Sequence, residues 1–143
     1  MIVKDVMKTD IEKIPPAMNI QEAARKMSMK KIGCLLIVDG HKLLGILTED
    51  DIIRKVVGEG KSPKETTVGE IMVKDVVHIE PDMSLEDVAE LMTEKSIKKL
   101  PVVENKRLMG IITATDIVAA EPEMMKRLGE LILFAKKPQR IAG

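Results

Sequence analysis

The chain has 143 residues, 45% of them apolar and 32% charged, and its 23 Lys plus Arg balance 23 Asp plus Glu. That length makes one compact domain, or two small units sharing a core, and the zero net charge argues against the basic stripe of a nucleic-acid binder. A lone cysteine, Cys34, excludes an internal disulfide and suits a reducing, cytoplasmic setting. The opening MIVKDVMKTD holds no long apolar run, so neither a secretory leader nor a membrane span is expected there. Phe134 is the one Phe, Trp or Tyr against 11 methionines, so a flat ligand would lie against aliphatic walls.

Along the chain, Ile11–Ile14 is a short segment with isoleucine at both ends, stopped by Pro16, the pattern of a strand ended by a turn. Ile20, Ala23, Ala24 and Met27 then recur at helical spacing. Asn19 stands ready as N-cap, with Glu22 three residues on. Cys34–Val38 and Leu43–Leu47 flank Asp39-Gly40-His41-Lys42 and predict a hairpin of strands buried on both faces. A second helix begins at Thr48. Residues 58–67, with Gly58, Gly60 and Pro63, predict a linker.

The same order then returns. Val76–Ile79 runs to Pro81, and Leu85, Val88, Ala89 and Met92 mark a helix capped by Ser84 with Asp87. Leu100–Val103 and Leu108–Ile112 flank Glu104-Asn105-Lys106-Arg107, and another helix begins at Thr113. Pro101 falls near the start of its strand, where a missing N–H is tolerated. Pro122 predicts the N1 position of a last helix whose Met124, Leu128, Leu131, Ile132 and Ala135 share one face. The tail 136–143 is expected to fray.

A constant offset of 65 residues aligns 3–54 with 68–119 without a gap, placing Met7 on Met72, Ala24 on Ala89 and Gly45 on Gly110. Such register is the mark of an internal duplication. The fold class is α+β, each copy reading strand, helix, strand, strand, helix. The domains are 1–57 and 68–121, joined by the linker 58–67 and followed by an amphipathic helix and tail, 122–143.

Little in the sequence supports catalysis. His41, His78 and Cys34 make no zinc-ligand spacing, and Gly-x-Ser-x-Gly, Walker and Gly-x-Gly-x-x-Gly motifs are missing. No enzyme, metal or resident cofactor is expected. Glu49-Asp50-Asp51 could hold a metal, but the second copy has Ala114-Thr115-Asp116 there, and an acidic first helical turn is the better reading. The polar motif both copies share is Gly45-x-x-Thr48-x-x-Asp51 and Gly110-x-x-Thr113-x-x-Asp116. Two readings of it stand. A Thr at N-cap with an acid at N3 is a capping box, the commoner role for that spacing. A helix N-terminus at a strand end also suits phosphate, with the carboxylate one turn in to accept ribose hydroxyls. Taken singly, Cys34 reads as a small core side chain, His78 as a strand-end polar group, and Lys98 and Lys99 as solvated. The stripe of Met7, Met18, Met27, Met72, Met83 and Met92 reads as core filler.

The two copies closely resemble cystathionine β-synthase (CBS) domains, which occur in tandem as Bateman modules. The resemblance rests on Val3-Lys4-Asp5-Val6-Met7, Val68-Gly69-Glu70-Ile71-Met72, Ile97-Lys98-Lys99-Leu100-Pro101-Val102-Val103 and the two Gly-x-x-Thr-x-x-Asp stretches, and it runs to Ala120. Leu36, standing where the second copy has Pro101, departs from the pattern. The resemblance implies two sheets packed about a pseudo-two-fold axis, with two clefts between the copies for AMP, ADP, ATP or S-adenosylmethionine. One cleft would pair Thr48 and Asp51 with Val77, His78, Lys98 and Lys99. The other would pair Thr113, Thr115 and Asp116 with Lys13, Ile14, Pro15, Gly33 and Cys34, and it is expected to be the tighter, because Asp50 stands where it has Thr115. The function implied is a cytoplasmic regulatory module sensing energy state or a metabolite, forming a homodimer or acting on a separate effector protein. The alternatives are a dimerisation scaffold without ligand, or another ligand, including nucleic acid or a metal, in the same clefts. The apolar face of the helix 123–135 is the candidate dimer contact, unless that helix folds back over its own module.

Overall fold

The computed structural model describes residues 1–134, so Ala135 and the expected fraying of 136–143 lie outside it. The described chain forms two compact units that cut across the sequence repeat. One holds Glu12–Val76 with the hairpin tip Asn105–Leu108; the other holds Met1–Ile11, Val77–Glu104 and the described residues from 109 to 134. Each unit therefore includes the opening segment of the other sequence copy.

In the Glu12–Val76 unit, β1 (Lys13–Ile14) pairs in parallel with Leu36 and Ile37 of β2 (Cys34–Asp39). β2 runs antiparallel to β3 (Lys42–Thr48), with Cys34 opposite Thr48. β1 lacks Ile11 and Glu12 of the expected Ile11–Ile14, and it ends as expected at Ile14, ahead of Pro15 and Pro16, which have no N–H to donate. Helix α1 (Ile20–Lys30) starts as the sequence predicts, with the Glu22 N–H donating to Asn19 Oδ1 at 2.9 Å. Helix α2 (Glu49–Ile52) continues into a π-helical turn, Ile53–Val57, closed by the Gly58 N–H on the Ile53 carbonyl at 2.7 Å. The segment after the linker forms a short helix, α3 (Val68–Ile71), whose Val68 and Gly69 amides donate to the Met18 and Pro16 carbonyls. Val68 and Ile71 join Ile20, Met27, Leu35 and Leu47 in one core.

The other unit repeats this plan. A 3-10 turn, Val3–Asp5, donates from Val3 and Lys4 to the Met83 and Pro81 carbonyls at 2.9 Å, and Val3 is fully buried. The expected strand Val76–Ile79 reduces to one parallel bridge, Ile79 to Val102. Helix α4 (Leu85–Lys95) has the Asp87 N–H on Ser84 Oγ at 3.1 Å, as predicted. β4 (Lys99–Glu104) and β5 (Arg107–Thr113) are neighbours in the sheet, and the turn between them puts Asn105 and Lys106 at positive φ. β2 and β4 carry continuous buried runs, whereas β3 and β5 alternate in burial, so burial on both faces holds for one strand of each hairpin.

Helix α5 (Ala114–Ala120) is followed by a 3-10 turn with Pro122 at its start, then α6 (Met125–Phe134). Met124 and Leu128 sit in the same core as Val88, Met92 and Ile117. The last helix thus folds back over its own unit, with Leu131 and Ile132 packed partly against that core. Of the methionine stripe, Met27 and Met92 are buried and the rest pack partly against the two cores. Cys34 is half-buried, not a full core residue. Among the described residues no helix is long and apolar enough to cross a membrane.

Candidate functional site

Both shared motifs form where a strand passes into a helix, and both make the same reciprocal pair of bonds. The Thr48 N–H donates to Asp51 Oδ2 at 3.1 Å, while the Asp51 N–H donates to Thr48 Oγ1 at 3.2 Å. In the other unit the Thr113 and Asp116 bonds are both 3.0 Å. The capping boxes are real, and each leaves something over. The Thr hydroxyl proton is not used by the box, and the box leaves the second carboxylate oxygen, Oδ1, without a backbone N–H among the described residues.

The motif glycines have a cause outside the motif. A Cβ on Gly45 would lie 2.7 Å from the Val73 carbonyl oxygen and 2.8 Å from Met72 Sδ. On Gly110 it would meet the Lys8 carbonyl oxygen at 2.7 Å and Met7 Sδ at 2.8 Å. Each glycine lets an opening segment lie against the strand that leads to Thr and Asp. Paired bonds hold it there: Ile46 with Val73 at 2.9 Å both ways, and Ile111 with Lys8 at 2.8 Å both ways.

The two carboxylates differ in what meets Oδ1. Asp51 is 3% exposed, and its Oδ1 lies 3.2 Å from Lys55 Nζ and 3.8 Å from Arg54 Nη2. Lys55 Nζ also donates to the Ile71 carbonyl at 3.1 Å, tying the π-helical turn after α2 to α3. Asp50 takes Arg54 Nε at 2.6 Å, and this contact holds the guanidinium above its ordinary pKa. Asp50 and Asp51 are thus engaged by neighbouring cations, and among the described residues no group of three or more His, Cys, Asp or Glu is placed to hold a metal ion. Asp116 has a looser partner, Lys8 Nζ at 3.3 Å, from a side chain 66% exposed. At the offset of 65, Arg54 and Lys55 fall on Ala119 and Ala120, and Lys8 falls on Val73. Sequence reasoning missed all three cations. The i, i+4 spacing of Asp51 and Lys55 was a signal for one pair; nothing local announced Lys8 and Asp116.

Within the Glu12–Val76 unit the structure gathers Thr48, Asp51, Lys13, Ile14, Pro15, Gly33 and Cys34. The Glu49 N–H donates to the Gly33 carbonyl at 3.0 Å, and Cys34 pairs with Thr48. Ile14 is buried, while Lys13, Pro15 and Gly33 are exposed. Thr113, Thr115, Asp116, Val77, His78, Lys98 and Lys99 belong to the other unit. There the Ala114 N–H donates to the Lys98 carbonyl at 2.8 Å, the counterpart of the Gly33 bond. Thr115, His78, Lys98 and Lys99 are exposed, and Val77 packs against the core.

Comparison with known proteins bears on this arrangement directly. Residues 3–58 and 68–123 each match the family model of the CBS domain. The chain is 36% identical over 130 residues to the uncharacterized protein MK0525 of Methanopyrus kandleri, covering 90% of this chain and 66% of that protein, about two thirds of its length. It is 36% identical over 115 residues to the CBS domain-containing protein YhcV of Bacillus subtilis, covering 80% of this chain and 81% of that one. The crystal structure of CBSX2 in complex with AMP is similar at a TM-score of 0.72 and 25% identity, over 86% of this chain and 97% of that chain. Two matched copies, each with its own Thr–Asp capping box against an opening segment, place this chain in the CBS-domain family as a tandem pair.

Proposed function

We propose that the chain is a cytoplasmic regulatory module that binds an adenosine nucleotide without turning it over. Its Thr–Asp motifs serve as the anchors for ribose and phosphate. The observation that carries this reading is that both capping boxes leave Asp Oδ1 and the Thr hydroxyl proton uncommitted to the backbone. A ribose cis-diol donates to the carboxylate, and the Thr hydroxyl donates to a phosphate oxygen. The AMP bound by CBSX2 supports this ligand class. AMP, ADP and ATP are the candidates, with S-adenosylmethionine next.

Thr113, Thr115 and Asp116 are the preferred anchor, with Val77, His78, Lys98 and Lys99 of the same unit as the further contacts of that ligand, the reverse of the pairing the resemblance implies. Thr48 and Asp51 are the second anchor, with Lys13, Ile14, Pro15, Gly33 and Cys34 of their own unit. The preference rests on what must be displaced. Freeing Asp116 Oδ1 costs one exposed ion pair, worth about 0–1 kcal/mol, whereas Asp51 is buried and gripped by Lys55. Bound ligand stabilises the liganded conformation by mass action, which passes the signal to a second copy of the chain or to a separate effector protein.

Titration calorimetry with AMP, ADP, ATP and S-adenosylmethionine tests this on the intact chain and on Asp116→Ala and Asp51→Ala. Asp116→Ala should abolish the tighter binding event and Asp51→Ala should spare it. No binding of any adenosyl compound at millimolar concentration would return the motifs to capping alone, and the opposite ranking of the two variants would transfer the preferred site to Asp51.

A further inference from the structure

Paired 2.8 Å bonds with Ile111 fix the Lys8 backbone beside β5 as an antiparallel bridge. Residues opposite each other in such a bridge share a face, as do residues two apart on one strand. Lys8, Ile111 and Thr113 therefore stand on one face, with Lys8 diagonal to Thr113 at a separation that a long side chain spans. The Lys8 stem reaches in that way, for its Nζ lies 3.3 Å from Asp116 Oδ1, in the same capping box as Thr113. Among the described residues no other cation makes an ion pair with Asp116. The root of the side chain is fixed by the bridge, while the arm itself is mostly exposed.

The other copy has the same bridge without the cation. There Ile46 pairs with Val73, which stands in place of Lys8 at the offset of 65. Asp51 is met instead by Lys55, four residues along its own helical segment, and that ammonium also holds the Ile71 carbonyl at 3.1 Å. Lys55 is thus bound at two points, whereas Lys8 gives up one exposed ion pair when its ammonium moves.

We propose that Lys8 sets the phosphate preference of the Asp116 anchor by exchanging partners. Without ligand, its ammonium neutralises Asp116. A ribose diol donating to Oδ1 displaces the ammonium, which swings to the phosphate held by the Thr113 hydroxyl on the same face. A phosphorylated nucleoside thereby restores the ion pair that its ribose breaks, and a bare nucleoside does not. Lys98 and Lys99 make no ion pair with Asp116, so they add to phosphate affinity without opposing the ribose. This inference rests on the nucleotide reading above and adds to it the residue that reads the charge of the ligand.

Titration calorimetry with adenosine and with AMP, on the full chain and its Lys8→Met and Lys8→Arg variants, tests the exchange. Methionine keeps an unbranched stem and removes the charge. In Lys8→Met, AMP should bind roughly five- to tenfold more weakly, between the worth of an exposed ion pair and that of a charged hydrogen bond. Adenosine should bind more tightly, by about one-and-a-half- to fivefold, because its competitor for Asp116 is gone. Lys8→Arg should keep the parent order of the two ligands. A purely structural loss would weaken both, so the opposite signs are the readout. The assignment is overturned if both affinities move the same way in Lys8→Met, or if their ratio is unchanged. If neither adenosine nor AMP binds the parent at millimolar concentration, the nucleotide reading itself fails and this assignment falls with it.

Discussion

Replacing Gly110 by Ala inserts one methyl group where the opening segment leaves no room for it. The new Cβ would sit 2.7 Å from the Lys8 carbonyl oxygen and 2.8 Å from Met7 Sδ. The methionine can swing aside, but the carbonyl is backbone, fixed by the two 2.8 Å bonds between Lys8 and Ile111. Overpacking of a tight site costs about 1–3 kcal/mol, and stretching two bonds worth about 1 kcal/mol each adds to it. A loss of about 2–4 kcal/mol follows, or about 5–15 °C in melting temperature for a domain of this size. Calorimetric melting should show that drop, and amide exchange should show Ile111 and Lys8 losing protection ahead of the core. Adding Met7→Ala should restore only part of the stability, since the carbonyl contact remains. A melting temperature within about one degree of the parent, with the Ile111 amide still protected, would refute the reasoning. Gly45→Ala should behave alike, through Val73 and Ile46.

Leu128→Ala removes the fully buried side chain that seats α6 on its unit, and should cost about 2–5 kcal/mol in urea unfolding. Glu12 lies 3.1 Å from Lys30 Nζ and 3.3 Å from Lys26 Nζ, and the hydrogen bonds from Lys30 and then Lys26 hold its carboxyl below its ordinary 4.5. Its contribution is therefore full above that value and fades as pH falls through the lower folded-state pKa. Glu12→Gln should flatten the acid limb of the stability profile and added salt should do the same to the parent; an unchanged limb in Glu12→Gln would remove Glu12 as its source.

Much of this protein was legible in the sequence because the signals are local. Helical spacing of apolar residues, Asn19 and Ser84 as caps, and Thr with Asp three residues on depend on neighbours within one turn, and the structure shows each where expected. The constant offset of 65 then tied two sets of local signals into a duplication. What the sequence left open were pairings between residues far apart along the chain, which no local pattern encodes. Only the tertiary structure shows that the opening segments cross between repeats, that Gly45 and Gly110 are small because another backbone lies against them, and that Asp116 meets Lys8 while Asp51 meets Lys55. The last helix makes the point most directly. Its period predicted an apolar face, but a period states only that a face will be buried, not against what. Packing of Leu128 among Val88, Met92 and Ile117 decided that.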